Sequence, residues 1–405
     1  MRRSLPAAAW PWACAALWTA EEFFCDRFLT YGGALPLEYT QWRFLPLIQP
    51  ISVMGPHALG FLIVLINALL ARAGESARSV EDPASRIRAA AAPVAIAGGL
   101  VLAWWGLGAC MLGSRRPPAA LKRVAILQPN VDQYRKWDES FAGEIRSRIG
   151  SQIRQAAKGE PDLILWPESS VPGWLDGENQ RWLSTLLKQA RAYQLVGVIG
   201  GTPRAPSNAA ELFDPRGQSA GEYRKRQLVP FGEFVPVRPV AARFIGLLDQ
   251  FGDLEAGASV QPPMSSALGR LGATICFEAV FPNWDRLNAS AGAQVLVNLT
   301  NDGWYKDTWG PHQHFYVNVF RAVENRLPVL RSANTGISGV IDPYGRVLAR
   351  LDLGETGVLS AQIPIDVFPA GSFYARHGDW FGWLNLAGVV ILGIGAILGR
   401  KGTER

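Results

Sequence analysis

Residues 380–399, WFGWLNLAGVVILGIGAILG, form a run without a single charge. A bilayer-crossing helix needs about 20 apolar residues, and a helix apolar on every side must be buried in protein or lipid. Asp379 stands where a helix N-cap belongs, and Arg400 and Lys401 follow the run. Trp380, Phe381 and Trp383 crowd its start, as aromatic residues do at a membrane interface. Gly395 and Gly399 are spaced for close helix packing.

Three earlier stretches read the same way. Residues 90–113 lie uncharged between Arg88 and Arg115. Residues 51–71 belong to a longer apolar stretch broken by Pro46, Pro50 and Pro56, so the helix proper starts at Pro56. Residues 5–22 follow Met1-Arg2-Arg3, which also suits a signal peptide. Trp10, Trp12 and Trp18 spoil a small-residue cleavage site and favour a retained helix. The expectation is a membrane region over residues 1–121 with about three helices, a large domain at 122–375, and a last helix at 379–399.

With four spans, both termini share one side. Placing Arg2, Arg3, Arg72, Arg78, Arg86, Arg88, Arg400, Lys401 and Arg405 in the cytoplasm leaves Arg115, Arg116, Lys122 and Arg123 opposite. That small positive-inside bias favours a large domain outside the cytoplasmic membrane. Composition agrees with a membrane portion: charged residues make up 18% of the chain, below the roughly 25% of a soluble domain. The net charge of +6 is not gathered into a Lys/Arg stripe, so nucleic acid is not an expected partner. Anionic lipid headgroups suit that balance weakly. The four cysteines make no CxxC pair or Cys/His cluster, and no HExxH occurs; neither a metal site nor a disulfide framework is expected.

Past Lys122 short β-branched runs alternate with polar helical stretches. Strands are expected at 124–128, 163–166, 196–200, 271–277, 294–299, 329–332, 339–342 and 347–351. Helices are expected at 138–157, 180–193 and 314–325. This alternation argues for a layered α/β domain.

Three places in it carry reactive groups at strand ends or in turns. They are Trp166-Pro167-Glu168-Ser169, Tyr223-Arg224-Lys225-Arg226 leading to Pro230-Phe231-Gly232-Glu233, and Thr274-Ile275-Cys276-Phe277-Glu278. A carboxylate can take a thiol proton, and an ammonium can lower the thiol pKa and stabilise an oxyanion beside a backbone N–H. Each residue alone has a plainer reading. A cysteine at a strand end is ordinarily a small buried hydrophobe. A glutamate after Trp-Pro is ordinarily a loop acid, and a lysine among arginines is ordinarily surface charge.

Together the three surroundings resemble one superfamily. LILWPES, YRKRQLVPFGEFVP and ATICFEAVF look like the Glu, Lys and Cys motifs of nitrilase-type carbon–nitrogen hydrolases, which fold as an αββα sandwich. LVPFGEFVP, LTNDGWYKDTWGPHQH, RAVENRLPVLRSANTGISGVIDPYGRV and YARHGDW narrow the resemblance to the apolipoprotein N-acyltransferases, the membrane-bound branch. It covers about residues 122–399, and residues 40–71 resemble that family's membrane part. The family carries more helices ahead of its catalytic domain than are counted here.

The resemblance implies Glu168 as general base, Lys225 as oxyanion stabiliser and Cys276 as nucleophile. Glu233 resembles the acid that orients the lysine, and Glu278 a further active-site carboxylate. Phe277 stands where the family often has tyrosine. Trp137 resembles a substrate-side tryptophan, and Trp304 and Trp309 lie in a lid-like segment, with core aromatics an equal alternative. The implied reaction moves an acyl chain from the sn-1 position of a phospholipid, phosphatidylethanolamine by expectation, to Cys276 as a thioester. The amine of a diacylglyceryl-cysteine at a lipoprotein N-terminus then takes it. No cofactor or metal is implied, and a monomer is expected. Two rivals are a membrane-tethered amidase acting on a small amide and a non-enzymatic lipoprotein-binding scaffold; Glu168, Lys225 and Cys276 argue against the second.

Overall fold

The computed structural model describes residues 6, 8–29, 36–175, 177–202, 204–236, 253–369 and 371–403; the side chains of Trp137 and of residues 395–403 lie outside the description. The expected cationic flanks Arg2, Arg3 and Arg405 are likewise outside it. The chain divides into two units, residues 1–115 with 377–405, and residues 116–376.

The first unit is helical. Its long helices are α1 (Trp10–Phe28), α2 (His57–Arg78), α3 (Pro83–Gly113) and the C-terminal helix Trp380–Thr403. Helices α2 and α3 are long and apolar enough to cross a membrane. Leu102 and Trp105 of α3 are exposed, the mark of a helix whose apolar surface meets lipid. Ala15, Leu65, Leu69 and Ala97 pack α1, α2 and α3 together. The helices differ from the sequence expectation at their ends, for physical reasons. Asp82 caps Ser85 N–H at 2.8 Å with Pro83 in the first turn, so α3 starts ahead of the apolar run. Helix α1 continues past Glu21 and Glu22, because its buried acids find a partner: His57 lies 3.2 Å from Asp26 and also meets Asp379. Asp379 caps the C-terminal helix as expected, accepting from Gly382 N–H at 2.8 Å.

The second unit is an αββα sandwich. Its strands are β1 (Ala120–Gln128), β2 (Leu163–Leu165), β3 (Tyr193–Thr202), β4 (Ala205–Phe213), β5 (Ser219–Arg224) and β6 (Met264–Ser266). They continue with β7 (Gly269–Ile275), β8 (Val295–Thr300), β9 (Val329–Ala333), β10 (Ser338–Ile341), β11 (Val347–Leu351) and β12 (Gly357–Ile365). One sheet runs β12-β1-β2-β3-β4-β5 and the other β6-β7-β8-β9-β10-β11. In those orders both show the same pairing: antiparallel, parallel, parallel, antiparallel, antiparallel.

Alternation along the strands makes the layers. Val124, Ile126, Leu163 and Leu165 face Ala273, Ile275, Val297 and Leu299 of the other sheet. Ala125, Leu127, Ile164 and Trp166 face outward onto helices. The helices are α4 (Ala142–Ala157) and α5 (Gly177–Ala190), whose Ile145, Ile149, Ile153 and Leu183, Leu186, Leu187 repeat at helical spacing. Helices α6 (Pro282–Ser290) and α7 (Gly310–Asn325) cover the second sheet.

Four strands have no counterpart in the sequence expectation: β4, β5, β6 and β12. Strand β4 reads APSNAAELF, with little β-branched content, and β12 carries Pro364, tolerated because β12 is an edge strand.

Gly197 of β3 lets the turn after β2 come close. A Cβ there would lie 2.2 Å from Pro167 O and 2.7 Å from Glu168 Cα. Gly197→Ala is therefore expected to push that turn away and lower stability by about 1–3 kcal/mol, read as a fall in the thermal unfolding midpoint. An unchanged midpoint would show that the turn yields freely.

Candidate active site

Glu168, Lys225 and Cys276 each follow a strand, β2, β5 and β7. Each motif also contains a non-glycine residue in the left-handed region: Ser169 at φ 47°, Phe231 at φ 60° and Cys276 at φ 54°. Such conformations cost energy and persist only where surroundings impose them. At Ser169 and Cys276 they turn the chain just past β2 and at the end of β7; Phe231 lies in the Pro230–Glu233 turn beyond Lys225.

Lys225 is buried, and its Nζ donates to Glu233 Oε1 at 2.8 Å and lies 3.7 Å from Glu168 Oε1. Asn208 Nδ2 of β4 bridges the two acids, donating to Glu168 Oε1 at 2.7 Å and Glu233 Oε1 at 2.9 Å. The backbone N–H of Val229 holds the other oxygen of Glu233 at 2.8 Å. Burial alone would strip Lys225 of its proton, but the charges of Glu168, Cys276 and Glu233 hold it above the ordinary lysine range. Burial, helped by the negative charge of Glu168, pushes the Cys276 thiol up to about 12, with Lys225 opposing. The neighbouring ammonium therefore does not by itself bring the thiol below its ordinary range.

Glu278 is fully buried, and its surroundings take up both carboxylate oxygens. Its oxygens accept from the N–H groups of Ile275 at 2.6 Å, Arg226 at 2.5 Å and Gln227 at 2.9 Å, and from Tyr223 OH at 2.8 Å. It therefore ties the Cys276 turn to the Lys225 turn as a positioning residue. Phe277 is half-buried and packs edge-on against Phe281 at 5.2 Å. Trp304 and Trp309 are 68% and 74% exposed, which rules out a core role for them. The backbone of Trp137 lies in a short turn of helix, Arg135–Trp137, and its side chain is outside the description.

The carbon-nitrogen hydrolase family profile matches residues 123–368, and that of the apolipoprotein N-acyltransferase N-terminal domain matches residues 1–69. A carbon-nitrogen hydrolase from Helicobacter pylori G27 superposes at a TM-score of 0.48 and 18% identity, over 61% of this chain and 90% of its own. The apolipoprotein N-acyltransferase of Agrobacterium fabrum is 34% identical over 366 residues, 85% of this chain and 66% of the relative. That of Geobacter metallireducens is 35% identical over 390 residues, 93% of this chain and 72% of the relative. The chain belongs to the apolipoprotein N-acyltransferase family.

Apolipoprotein N-acyltransferases are acyltransferases, and several groups at this site lie outside the sequence motifs. Lys136, buried beside Trp137, donates to the backbone carbonyl of Glu168 at 2.9 Å. Burial brings its ammonium down to about 8, against the pull of Glu168 and Cys276. Its place one residue before a singled-out tryptophan was the available signal. Asn208 sits in a strand with no strand signature, so nothing in the sequence marked it.

Below its pKa a thiol gains thiolate tenfold per pH unit. Iodoacetamide alkylation of Cys276 is therefore expected to climb about tenfold per unit between roughly pH 7 and 9.5 without levelling. A plateau beginning below about pH 8 would instead reveal a preformed thiolate.

Proposed function

We propose that Cys276, Glu168 and Lys225 carry an acyl exchange from a phospholipid to a lipoprotein N-terminus. The observation that carries this reading is the buried Lys225 ammonium, within 2.8 Å of Glu233 and 3.7 Å of Glu168, in a member of a family of acyltransferases. In the first half, Glu168 takes the Cys276 proton as sulfur attacks the sn-1 ester carbonyl. Lys225 Nζ and the Phe277 N–H steady the oxyanion. The lysophospholipid leaves with the proton from Glu168, and a thioester remains. In the second half, the α-amine of a diacylglyceryl-cysteine attacks the thioester, Glu168 takes its proton, and the thiol is restored as the amide forms.

Glu233 keeps Lys225 from closing into a tight pair with Glu168, so that Glu168 stays available as a base. The donor is phosphatidylethanolamine in this reading, and the chain acts as a monomer. Trp304 and Trp309, both exposed, serve the approach of acyl chains in this reading, with Trp137 assigned to the same role by the family resemblance alone. The site faces the periplasm from the inner membrane, with several crossings; the arginine-rich ends of α2 and α3 support that orientation. No metal or cofactor takes part.

The test is the intact mass of the detergent-purified protein after incubation with phosphatidylethanolamine. A fatty acyl adduct that hydroxylamine removes is expected on the unmodified protein and absent from Cys276→Ala. Glu168→Gln and Lys225→Met should slow its formation by about 1,000-fold or more, since residues that act as a unit fail together. An adduct on Cys276→Ala would overturn the assignment, and turnover of small amides without phospholipid would favour a tethered amidase.

A further inference from the structure

Behind Cys276 lies a closed ring of buried hydrogen bonds that the acyl exchange above does not use. His314, on α7, places Nε2 3.0 Å from the Cys276 carbonyl oxygen and Nδ1 2.8 Å from Asp302 Oδ1. Asp302 Oδ2 accepts from Arg331 Nη2 at 2.6 Å. Arg331 Nη1 donates to Asn298 Oδ1, and Asn298 Nδ2 returns to the Cys276 carbonyl at 3.3 Å. His314, Asp302, Arg331 and Asn298 are all buried, and they come from a helix, a loop and strands β9 and β8. Thr300 Oγ1 adds a donor to Asp302 at 3.0 Å.

The proton inventory of this ring follows from its acceptors. Burial works against the Asp302 charge, but Arg331 and His314 outweigh it, so its carboxyl stays below the ordinary range and ionised. An ionised carboxylate only accepts, and so does a peptide carbonyl. Both ring nitrogens of His314 thus face acceptors, the Asp302 carboxylate and the Cys276 carbonyl. With both nitrogens engaged, His314 has none left to exchange a proton with the thiol. Its reach ends at the backbone.

Backbone is where the ring acts. The Cys276–Phe277 peptide is trans, since the one cis bond among the described residues is Gly336–Ile337. In a trans peptide the C=O and the following N–H point in opposite directions. Two donors on the Cys276 carbonyl fix that plane and polarise it, which strengthens the N–H on the other side as a donor. They also hold Cys276 in its left-handed conformation at φ 54°. Phe277 is the second residue of the short 3-10 helix Cys276–Val280, within the first turn, where backbone N–H groups lack partners within the helix.

We propose that the His314–Asp302–Arg331–Asn298 ring clamps the Cys276 carbonyl so that the Phe277 N–H is held as the second oxyanion donor opposite Lys225. The proposal rests on the reading of Cys276 as nucleophile. His314 is a positioning residue in it, and its contribution appears only in steps that build negative charge on an acyl oxygen.

Two reactions of the same thiol separate that role from a merely structural one. Acylation by p-nitrophenyl butyrate passes through a tetrahedral oxyanion; alkylation by iodoacetamide is a direct displacement and does not. His314→Asn places an amide near Nδ1, keeping the Asp302 contact and losing the carbonyl. His314→Gln places it near Nε2 and keeps the carbonyl. The full-length protein in detergent is expected to lose roughly 100-fold in acylation rate as His314→Asn, within the range known for loss of an oxyanion donor, with KM little changed. His314→Gln should stay within about tenfold of the unmodified protein, and alkylation should change by less than about threefold in both. Equal acylation rates in the two variants, or parallel falls in acylation and alkylation, would overturn the clamp. An unmodified protein inert to both reagents would strike the reading of Cys276 itself, and the clamp with it.

Discussion

The site depends on one buried charge. Lys225 is 1% exposed, and a lone ammonium there would be too costly to keep. Glu233 at 2.8 Å and Glu168 at 3.7 Å compensate it unequally. The shorter contact anchors the lysine, and the longer one leaves an acid that is close enough to feel the charge but not committed to it. Asn208 enforces this asymmetry by binding one oxygen of each acid. Removing either partner of such a buried pair costs about 3–5 kcal/mol, so the arrangement is one a fold either builds completely or abandons.

Local strain and tertiary packing meet at the same three turns. Ser169, Phe231 and Cys276 all sit in the left-handed region; the turns of Ser169 and Cys276 meet residues from elsewhere in the chain, and that of Phe231 is closed by bonds of its own. Gly197 admits the first turn, Glu233 spans the second, and Glu278 joins the second to the third through Arg226, Gln227 and Ile275. A preorganised site of this kind would suit the proposed thioester, for which water is the nucleophile competing with an amine.

Legibility in the sequence followed the range of the interactions. A layered α/β domain showed because buried parallel strands such as LILW and QVLVNL are continuous apolar runs, and the αββα sandwich came with the family resemblance. The reactive trio showed because each member sits in its own short, distinctive neighbourhood. Arg331, Asp302 and His314 did not show, because a buried charge looks like surface charge until its partner is known, and the ring around Cys276 spans residues 276 to 331. Strand β12 was hidden by Pro364 and by its half-exposed face. The end of α1 fell beyond the expected residue 22 because the helix runs on to Phe28, where Asp26 meets His57 from far along the chain.

The central claim is that the site moves an acyl group to an amine and not to water. The most direct measurement loads Cys276 with a labelled acyl chain, removes free phospholipid, and follows loss of the label with and without a diacylglyceryl-cysteine peptide. The account predicts that the peptide speeds loss by at least about 100-fold and that the label leaves as amide. Release as free fatty acid at one rate, peptide or no peptide, would contradict it and make the site a hydrolase.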